Sequence, residues 1–139
     1  MASFSVTPLS IPDVLLLQPK KFCDHRGYFV ETFNRREFER LGIGRDFVQD
    51  NHSLSRQRGT VRGLHFQQPP HAQAKLVRVV KGAVFDVAID LRRGSPTWAR
   101  WCATTLTAEK CNQLFVPPGF AHAFCTLEPD TEVAYKVDD

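Results

Sequence analysis

The chain has 139 residues, which is enough for one domain and leaves no room for a second. An apolar share of 42% excludes intrinsic disorder, and the formal net charge of +3, with twelve arginines against six lysines, suits an anionic small ligand. No basic run interleaved with aromatics is present, and neither a membrane-spanning stretch nor an export signal is visible. We therefore predict no nucleic-acid partner, no membrane partner and a cytoplasmic location.

The first predicted element is one short helix near the N-terminal third, at Arg35–Leu41. Asn34 is suited to cap it, and Glu37 follows three residues later, as in a capping box. Gly42 comes directly after the helix and is suited to end it.

Two longer strands are predicted in the middle of the chain. Lys75–Val80 and Ala83–Leu91 flank a Lys81-Gly82 turn, which predicts a hairpin. On the second strand, Asp86 and Asp90 share one face, which we expect to be exposed to solvent. The other face carries Phe85, Val87, Ile89 and Leu91.

Further short strands are separated by turn residues. They are predicted at Leu114–Val116, Phe120–Leu127 and Glu132–Val137, with Pro117-Pro118-Gly119 forming the first turn between them. The earlier stretch RGLHFQ, Arg62–Gln67, also has the pattern of a strand. Many short antiparallel strands and one small helix predict an all-β sandwich or barrel, with a ligand inside its mouth.

Two histidine-containing stretches match the motif spacing of the cupins, a family whose fold is a double-stranded β-helix or jelly roll. The first cupin motif is G(x)5HxH(x)3-4E(x)6G, and here Gly59 is followed at the right distance by His65. The second motif contains PxG(x)2H, which Pro117, Gly119 and His122 match. This resemblance predicts a cupin-type jelly roll.

The first motif departs from the cupin pattern at the metal ligands. Gln67 replaces the second histidine, and Lys75 stands where the glutamate would fall, after a longer gap. Catalytic metals usually need three N or O ligands, and an ammonium group beside a dication is repelled. We therefore predict no catalytic metal, which disfavours a metal-dependent oxygenase. A pocket lined by His65, His122, Lys75 and Arg62 would instead favour an anion and could stabilise an oxyanion.

A closer resemblance runs in order from about Phe22 to Lys136. Its segments are DHRGYFVETF, FVQDNHSLS, TVRGLHFQ, QAKLVRVVKGAVFDVAIDLR, SPTW, PPGFAHAF and EVAYK. They resemble successive signatures of the dTDP-4-dehydrorhamnose 3,5-epimerases. The resemblance implies an enzyme without a cofactor that inverts C3 and C5 of dTDP-4-dehydro-6-deoxyglucose on the route to dTDP-rhamnose. It also implies a dTDP-linked 4-keto-6-deoxy sugar as partner and a homodimer formed by strand exchange.

The residue types agree with that reaction. A ketone at C4 acidifies the C–H bonds at C3 and C5, so inversion needs a base on one face of the sugar and an acid on the other. The resemblance makes His65 the base, and an imidazole is suited to this because it titrates near neutral pH. It makes Tyr135 the acid, and Tyr135 shares a strand face with Val133 and Val137 that should point into the barrel.

The resemblance also implies eight substrate contacts: Arg26, Glu31, Gln49, Asp50, Asn51, Arg62, Lys75 and His122. We expect the two arginines to hold the diphosphate and Lys75 to lie near the keto oxygen. Strict alternation along the strand would place Arg62 and His65 on opposite faces. Both therefore reach the pocket only if Gly63 forms a bulge or Arg62 passes around the rim.

Members of this family usually continue for some tens of residues past the EVAYK segment. That tail carries an aspartate that pairs with the catalytic histidine and an aromatic ring that stacks on thymine, and neither can be assigned in this chain. We therefore expect a single cupin-like domain over residues 1–139, shortened at its C-terminus relative to the family. Asp86 and Asp90 are the remaining candidates to orient His65.

Two other functions stay open at this point. One is a 3-epimerase or ketoisomerase that acts on a related nucleotide sugar. The other is a sugar-nucleotide binding module without catalytic activity.

Overall fold

The computed structural model describes residues 3–139, which form short strands and one helix, and the prediction of an all-β protein with one short helix is confirmed. The strands are β1 (Phe4–Pro8), β2 (Leu15–Pro19), β3 (Lys21–Asp24), β4 (Gly27–Val30), β5 (Gln49–Ser55), β6 (Val61–His65), β7 (Lys75–Lys81), β8 (Ala83–Asp90), β9 (Trp101–Thr107), β10 (Gln113–Val116), β11 (Phe120–Thr126) and β12 (Thr131–Val137). Helix α1 (Arg35–Arg40) lies between β4 and β5. No helix in the described range is long and apolar enough to cross a membrane.

Two antiparallel sheets face each other across the core. The six-stranded sheet has the order β1-β2-β10-β7-β12-β5, and the four-stranded sheet has the order β6-β11-β8-β9. Strands β3 and β4 form a separate hairpin. Apolar side chains from both inner faces fill the space between the sheets and include Val77, Val84, Leu106, Leu114, Val116, Phe124 and Val133.

The predicted helix is confirmed as α1. The side chain of Asn34 accepts a hydrogen bond from the N–H of Glu37 at 3.1 Å, and Gly42 follows the helix with φ of +87°. Phe38 is buried in a second apolar cluster on the outer side of the six-stranded sheet. The other buried members of that cluster are Phe4, Leu17, Ile43, Ala74, Leu76 and Phe115.

The predicted hairpin at Lys81-Gly82 is wrong. β7 pairs with β10 and β12, whereas β8 pairs with β9 and β11, so the turn carries the chain from one sheet to the other. Gly82 has φ of +89°, and a Cβ added there would overlap the side chain of Thr131. A tight glycine turn can join two paired strands of one sheet, or it can join strands of two different sheets. Which of the two forms here depends on the distant strands that pair with β7 and β8.

The prediction that Asp86 and Asp90 face solvent is also wrong. Both are 0% exposed, whereas Phe85 on the opposite face is 40% exposed. Each carboxylate is buried beside a partner that the strand pattern does not reveal: His122 for Asp86 and Arg92 for Asp90. The Arg92 guanidinium also holds the pKa of Asp90 well below its usual range. The more apolar face of β8 therefore lies on the outside of the sandwich.

A β-bulge interrupts the pairing of β6 with β11. His65 lies opposite His122 and Arg62 lies opposite Phe124, so two residues of β6 face a single residue of β11. Because Phe124 belongs to the core, the bulge turns both Arg62 and His65 toward the inner side of the sheet. Of the two arrangements that the sequence left open, a bulge at Gly63 or Arg62 passing around the rim, the structure shows the bulge.

We predict that Gly63→Ala destabilises the protein more than the matched change Gly59→Ala. Both glycines have positive φ, +112° and +84°, where a residue with a Cβ loses about 1–2 kcal/mol. Only at Gly63 would the Cβ also meet backbone, 2.6 Å from the carbonyl oxygen of His122 and 2.9 Å from the Cα of Ala123, whereas Gly59 faces open space.

Urea unfolding of the two variants measures this difference. We expect Gly59→Ala to lower the free energy of unfolding by about 1 kcal/mol and Gly63→Ala to lower it by several times as much. Equal losses would show that the close approach of β6 to β11 is unimportant.

Candidate active site

A cavity of ≈ 390 Å³ opens between the two sheets. Five of the ten residues predicted to act on or bind the substrate line it: His65, Tyr135, Lys75, Gln49 and Asn51. The rest of the lining consists of Leu64, Phe66, Gln67, Gln73, Gly119 and Phe120. The cavity therefore collects side chains from distant parts of the chain around one space.

The two predicted proton-transfer residues come from opposing sheets. His65 ends β6 of the four-stranded sheet, and Tyr135 lies on β12 of the six-stranded sheet. Lys75 begins β7, the neighbour of β12, and its Nζ lies 5.6 Å from the centroid of the Tyr135 ring. The cavity thus has an imidazole on one wall and a phenol with an ammonium group on the other.

Amide side chains extend the wall around Tyr135. Asn51 on β5 lies directly opposite Tyr135 in the strand pairing, and Gln49 lies two residues away on the same face. The Nε2 of Gln49 donates a hydrogen bond to the Oδ1 of Asn51 at 2.9 Å. These amides offer uncharged donors and acceptors to a sugar hydroxyl.

The ammonium group of Lys75 lies in a poorly solvated part of the cavity. Burial lowers the pKa of its ammonium group below the usual 10.5, and the negative charge of Asp86 raises it part of the way back. No Lys75–Asp86 ion pair is formed among residues 3–139, so the two groups interact at longer range. An ammonium group with little competing water is well suited to stabilise an enolate oxygen.

His122 is buried and is not part of the cavity lining. It is 4% exposed, and its Nε2 is 2.8 Å from the Oδ1 of Asp86. Asp86 was considered as a partner for His65, but it pairs with His122, and Asp90 is held by Arg92. Neither carboxylate orients His65. The Asp86–His122 pair was missed from the sequence because the two residues are 36 positions apart on different strands.

Three of the predicted substrate contacts lie away from the cavity. Arg26 is exposed at the β3–β4 turn and pairs with Asp24 at 2.7 Å. Glu31 accepts a hydrogen bond from the helix-capping Asn34 at 3.1 Å. Asp50 lies on the outer face of β5 and pairs with Lys136 at 2.9 Å. Within a single copy, these side chains are engaged with neighbours rather than with the cavity.

Arg62 does not line the cavity and instead connects the two sheets. Its Nε donates to the hydroxyl of Ser55 at 2.9 Å, and its Nη2 donates to the carbonyl oxygen of Leu54 at 2.9 Å. Both acceptors belong to β5, the edge strand of the six-stranded sheet, whereas Arg62 lies on β6, the edge strand of the other. Arg62 therefore ties the edges of the two sheets together, and its side chain is not part of the cavity lining.

The donor set at the cupin metal positions is altered as the sequence indicated. Gln67 and Lys75 both line the cavity, and the ring of His122 is engaged with Asp86. Among residues 3–139, no three His, Cys, Asp or Glu side chains are grouped in a way that would hold a metal ion.

Comparison with known proteins identifies the family. A protein-family model described as dTDP-4-dehydrorhamnose 3,5-epimerase matches residues 8–139. The chain belongs to this family. A relative of the same name from Shigella flexneri is 51% identical over 137 residues, which are 97% of this chain and 75% of the relative. The chain thus spans three quarters of that relative's length.

Solved structures of the family superpose closely on this fold. A dTDP-4-dehydrorhamnose 3,5-epimerase from Bacillus anthracis with TDP and PPi bound has a TM-score of 0.96 at 50% identity, over 98% of this chain and 78% of that one. A dTDP-6-deoxy-D-glucose-3,5-epimerase from Legionella pneumophila in complex with dTDP-4-keto-L-rhamnose has a TM-score of 0.93 at 43% identity, over 98% and 72%. The predicted cupin-type jelly roll and the predicted epimerase family are both confirmed.

The buried ammonium group gives this epimerase-family protein a testable dependence of stability on pH. The native pKa of Lys75 is lowered, so between that value and 10.5 the unfolded chain binds more protons than the native protein. The destabilisation from Lys75 is absent above the unfolded pKa of 10.5, grows as pH falls toward the lowered native pKa, and is fully present below it. Lys75→Met should therefore stabilise the protein at neutral pH, with the gain disappearing above about pH 10.5.

Urea unfolding of the wild type and Lys75→Met between pH 7 and pH 11 measures this difference. Lys81→Met is the matched control, because Lys81 ends the same strand and is exposed. We expect the control to show a small difference that does not change with pH. A Lys75→Met variant that is less stable than the wild type at neutral pH would contradict the prediction.

Proposed function

We propose that this protein epimerises dTDP-4-dehydro-6-deoxyglucose at C3 and C5 to dTDP-4-dehydrorhamnose without a cofactor. The observation that carries the proposal is that His65 and Tyr135 line the same cavity from opposing sheets. Family membership and the dTDP-4-keto-L-rhamnose in the Legionella enzyme support the same substrate class, a dTDP-linked 4-keto-6-deoxy sugar and not a nucleic acid.

Proton removal is the first step of this chemistry. The imidazole of His65 takes the proton from the carbon next to the C4 ketone, and the electron pair of that C–H bond moves into an enolate with its charge on the C4 oxygen. Lys75 reaches the cavity from the opposite wall and donates a charge-assisted hydrogen bond to that oxygen.

Proton return completes the inversion. The hydroxyl of Tyr135 protonates the same carbon from the other face of the ring, the resulting phenolate recovers a proton from solvent, and the imidazolium of His65 releases its proton to solvent, which restores both groups. The Lys75 ammonium near the Tyr135 ring stabilises that phenolate for its short lifetime. The same pair serves C3 and C5 because both carbons are next to the C4 ketone.

Incubation with the 4-keto nucleotide sugar in deuterated water tests the proposal. The wild type should incorporate deuterium at C3 and C5 with inversion, and His65→Asn should lower the rate by about 10²–10⁴-fold. Tyr135→Phe should still exchange protons at His65 while forming little inverted product. His52→Asn is the matched control, because His52 pairs with Glu132 on the outer face of β5 and should leave the rate unchanged.

The pattern of labelling separates the alternative functions. Deuterium at C3 alone would indicate a 3-epimerase, and a moved carbonyl would indicate a ketoisomerase. A rise in melting temperature with dTDP, with no deuterium at either carbon, would replace the epimerase by a binding module.

We also infer that the protein is a homodimer in which the β3–β4 hairpin packs on a second copy. The hairpin pairs with no further strand of the described chain, yet it carries exposed apolar side chains, with Phe29 69% exposed. The outer face of the four-stranded sheet is likewise apolar, and Phe85 and Trp101 are exposed there. A two-fold contact would remove such surfaces from water.

A dimer of this kind explains the position of Arg26. The side chain is far along an exposed hairpin and makes no contact with the cavity of its own chain. We infer that the hairpin carries Arg26 to the cavity mouth of the partner, where it binds the diphosphate.

Mixed dimers test whether Arg26 acts on the partner. His65→Asn and Arg26→Ala subunits, each nearly inactive alone, are unfolded together and refolded as a mixture. If Arg26 acts across the interface, half of the dimers contain one intact site, which restores about one quarter of the wild-type rate. If Arg26 acts within its own chain, mixing restores nothing. A monomer in analytical ultracentrifugation would reject the dimer itself.

We further propose that the enzyme acts in the cytoplasm. The four cysteines of the chain, Cys23, Cys102, Cys111 and Cys125, are all free thiols in the fold. Free thiols without disulfides are typical of proteins from reducing compartments. Thiol titration of native and unfolded protein, prepared without reductant, checks that all four remain reduced.

A further inference from the structure

Asp86 is a buried acid that the proposed reaction does not yet use. Its side chain is 0% exposed, on the inner face of β8. Oδ1 lies 2.8 Å from the Nε2 of His122, and because a carboxylate only accepts, this nitrogen of His122 carries the hydrogen. Oδ2 is also buried, and it has no hydrogen-bond partner within the described chain.

Asp90 shows that the fold is able to satisfy a carboxylate at this depth. It lies four residues further along the same face of the same strand and is equally buried. Both of its oxygens are hydrogen-bonded: Arg92 donates to each, and the hydroxyls of Ser95 and Thr97 donate to Oδ2. Asp86 lacks such support, so its buried charge works against folding and needs another explanation.

The cavity supplies that explanation. The titratable or charged groups that face the interior around Asp86 are Arg62 and His65 on β6, Lys75 on β7, Asp90 on β8, Cys102 on β9, His122 on β11 and Tyr135 on β12. Arg62 is hydrogen-bonded to β5 and Asp90 is paired with Arg92, so Lys75 is the cation of this set that lines the cavity. Burial lowers the pKa of Lys75, and the charge of Asp86 opposes that effect, so the two groups interact across the sandwich.

We propose that Asp86 is a positioning residue for the epimerisation: one oxygen fixes the ring of His122, which lies opposite His65 on the neighbouring strand, and its charge keeps the Lys75 side chain protonated where the enolate oxygen develops. The inference rests on the proposed function, because it assigns Lys75 to the enolate. An uncharged Lys75 would still donate a hydrogen bond but would lose most of its power to stabilise the anion. Asp86 accordingly determines the pH range over which Lys75 stays protonated and the enzyme is active.

Asp86→Asn separates charge from geometry. The asparagine has the same size, and its carbonyl oxygen still accepts from His122, so the ring stays in place while the negative charge is lost. Asp86→Glu keeps the charge and is the complementary variant. Asp90→Asn is the matched control, since it weakens a buried carboxylate on the same strand face without touching the cavity.

The titration of Lys75 is the direct measurement and does not depend on turnover. NMR of protein labelled with 13C-lysine follows the Cε–Hε signals against pH, and Lys75→Arg identifies the signal of Lys75 among the six lysines. We expect its midpoint to move to lower pH in Asp86→Asn and to stay in place in Asp86→Glu and Asp90→Asn. An unchanged midpoint in a folded Asp86→Asn protein would overturn the proposal.

The dependence of kcat on pH is the second measurement. Loss of a residue that supports a reacting group typically lowers activity about 10- to 100-fold, and we expect kcat to fall by that much in Asp86→Asn. We also expect the alkaline limb of its pH profile, where kcat falls with rising pH, to move to lower pH. In a Lys75→Arg background, where the cation stays charged, Asp86→Asn should leave that limb in place.

The two measurements separate the two proposals. If the titration midpoint of Lys75 moves in Asp86→Asn but the wild type shows no deuterium exchange, Asp86 does control the protonation of Lys75 and the proposed epimerase activity is rejected. If the midpoint moves while kcat and its alkaline limb remain as in the wild type, Asp86 has no part in catalysis.

Discussion

The site depends on the bulge at Gly63, where β6 faces β11. Without it, the alternation of side chains would send either Arg62 or His65 to the outside of the sheet. With it, His65 lies opposite His122 and lines the cavity, while Arg62 points to the same side and reaches the edge of the other sheet. The bulge is restricted to glycine because any Cβ would overlap the backbone of β11.

The alternation of side chains along β8 decides which of its surfaces is buried. Its inner face carries two carboxylates beside core residues, whereas its outer face carries Phe85 and other apolar residues. The two buried carboxylates are stabilised by partners from other parts of the chain, His122 for Asp86 and Arg92 for Asp90. The exposed apolar face is a surface that the proposed dimer would remove from water.

Local sequence signals predicted the local features. Asn34 and Gly42 bound the helix because capping depends on a few neighbouring residues. The histidine motifs singled out His65 and His122, which the structure places opposite each other on β6 and β11. The failures were non-local. Nothing near Gly82 shows that β7 and β8 pair with different strands, and nothing near Asp86 shows that His122 will lie beside it. Burial of a charge depends on partners brought by the whole topology.

The positions of the charged side chains bear on how the proposed ligand is oriented in the site. Lys75 and Asp86 oppose each other inside the sandwich, so the interior offers little net positive charge to a diphosphate. The guanidinium groups of Arg62 and Arg26 do not line the cavity: Arg62 is bonded to the edge of the other sheet, and Arg26 lies on the exposed hairpin. In the proposed function, the sugar ring occupies the cavity, where the enolate charge meets Lys75, and an arginine binds the diphosphate outside it. The strong charges of the ligand would thus remain where water and arginine stabilise them, and the weak one would develop where water is excluded.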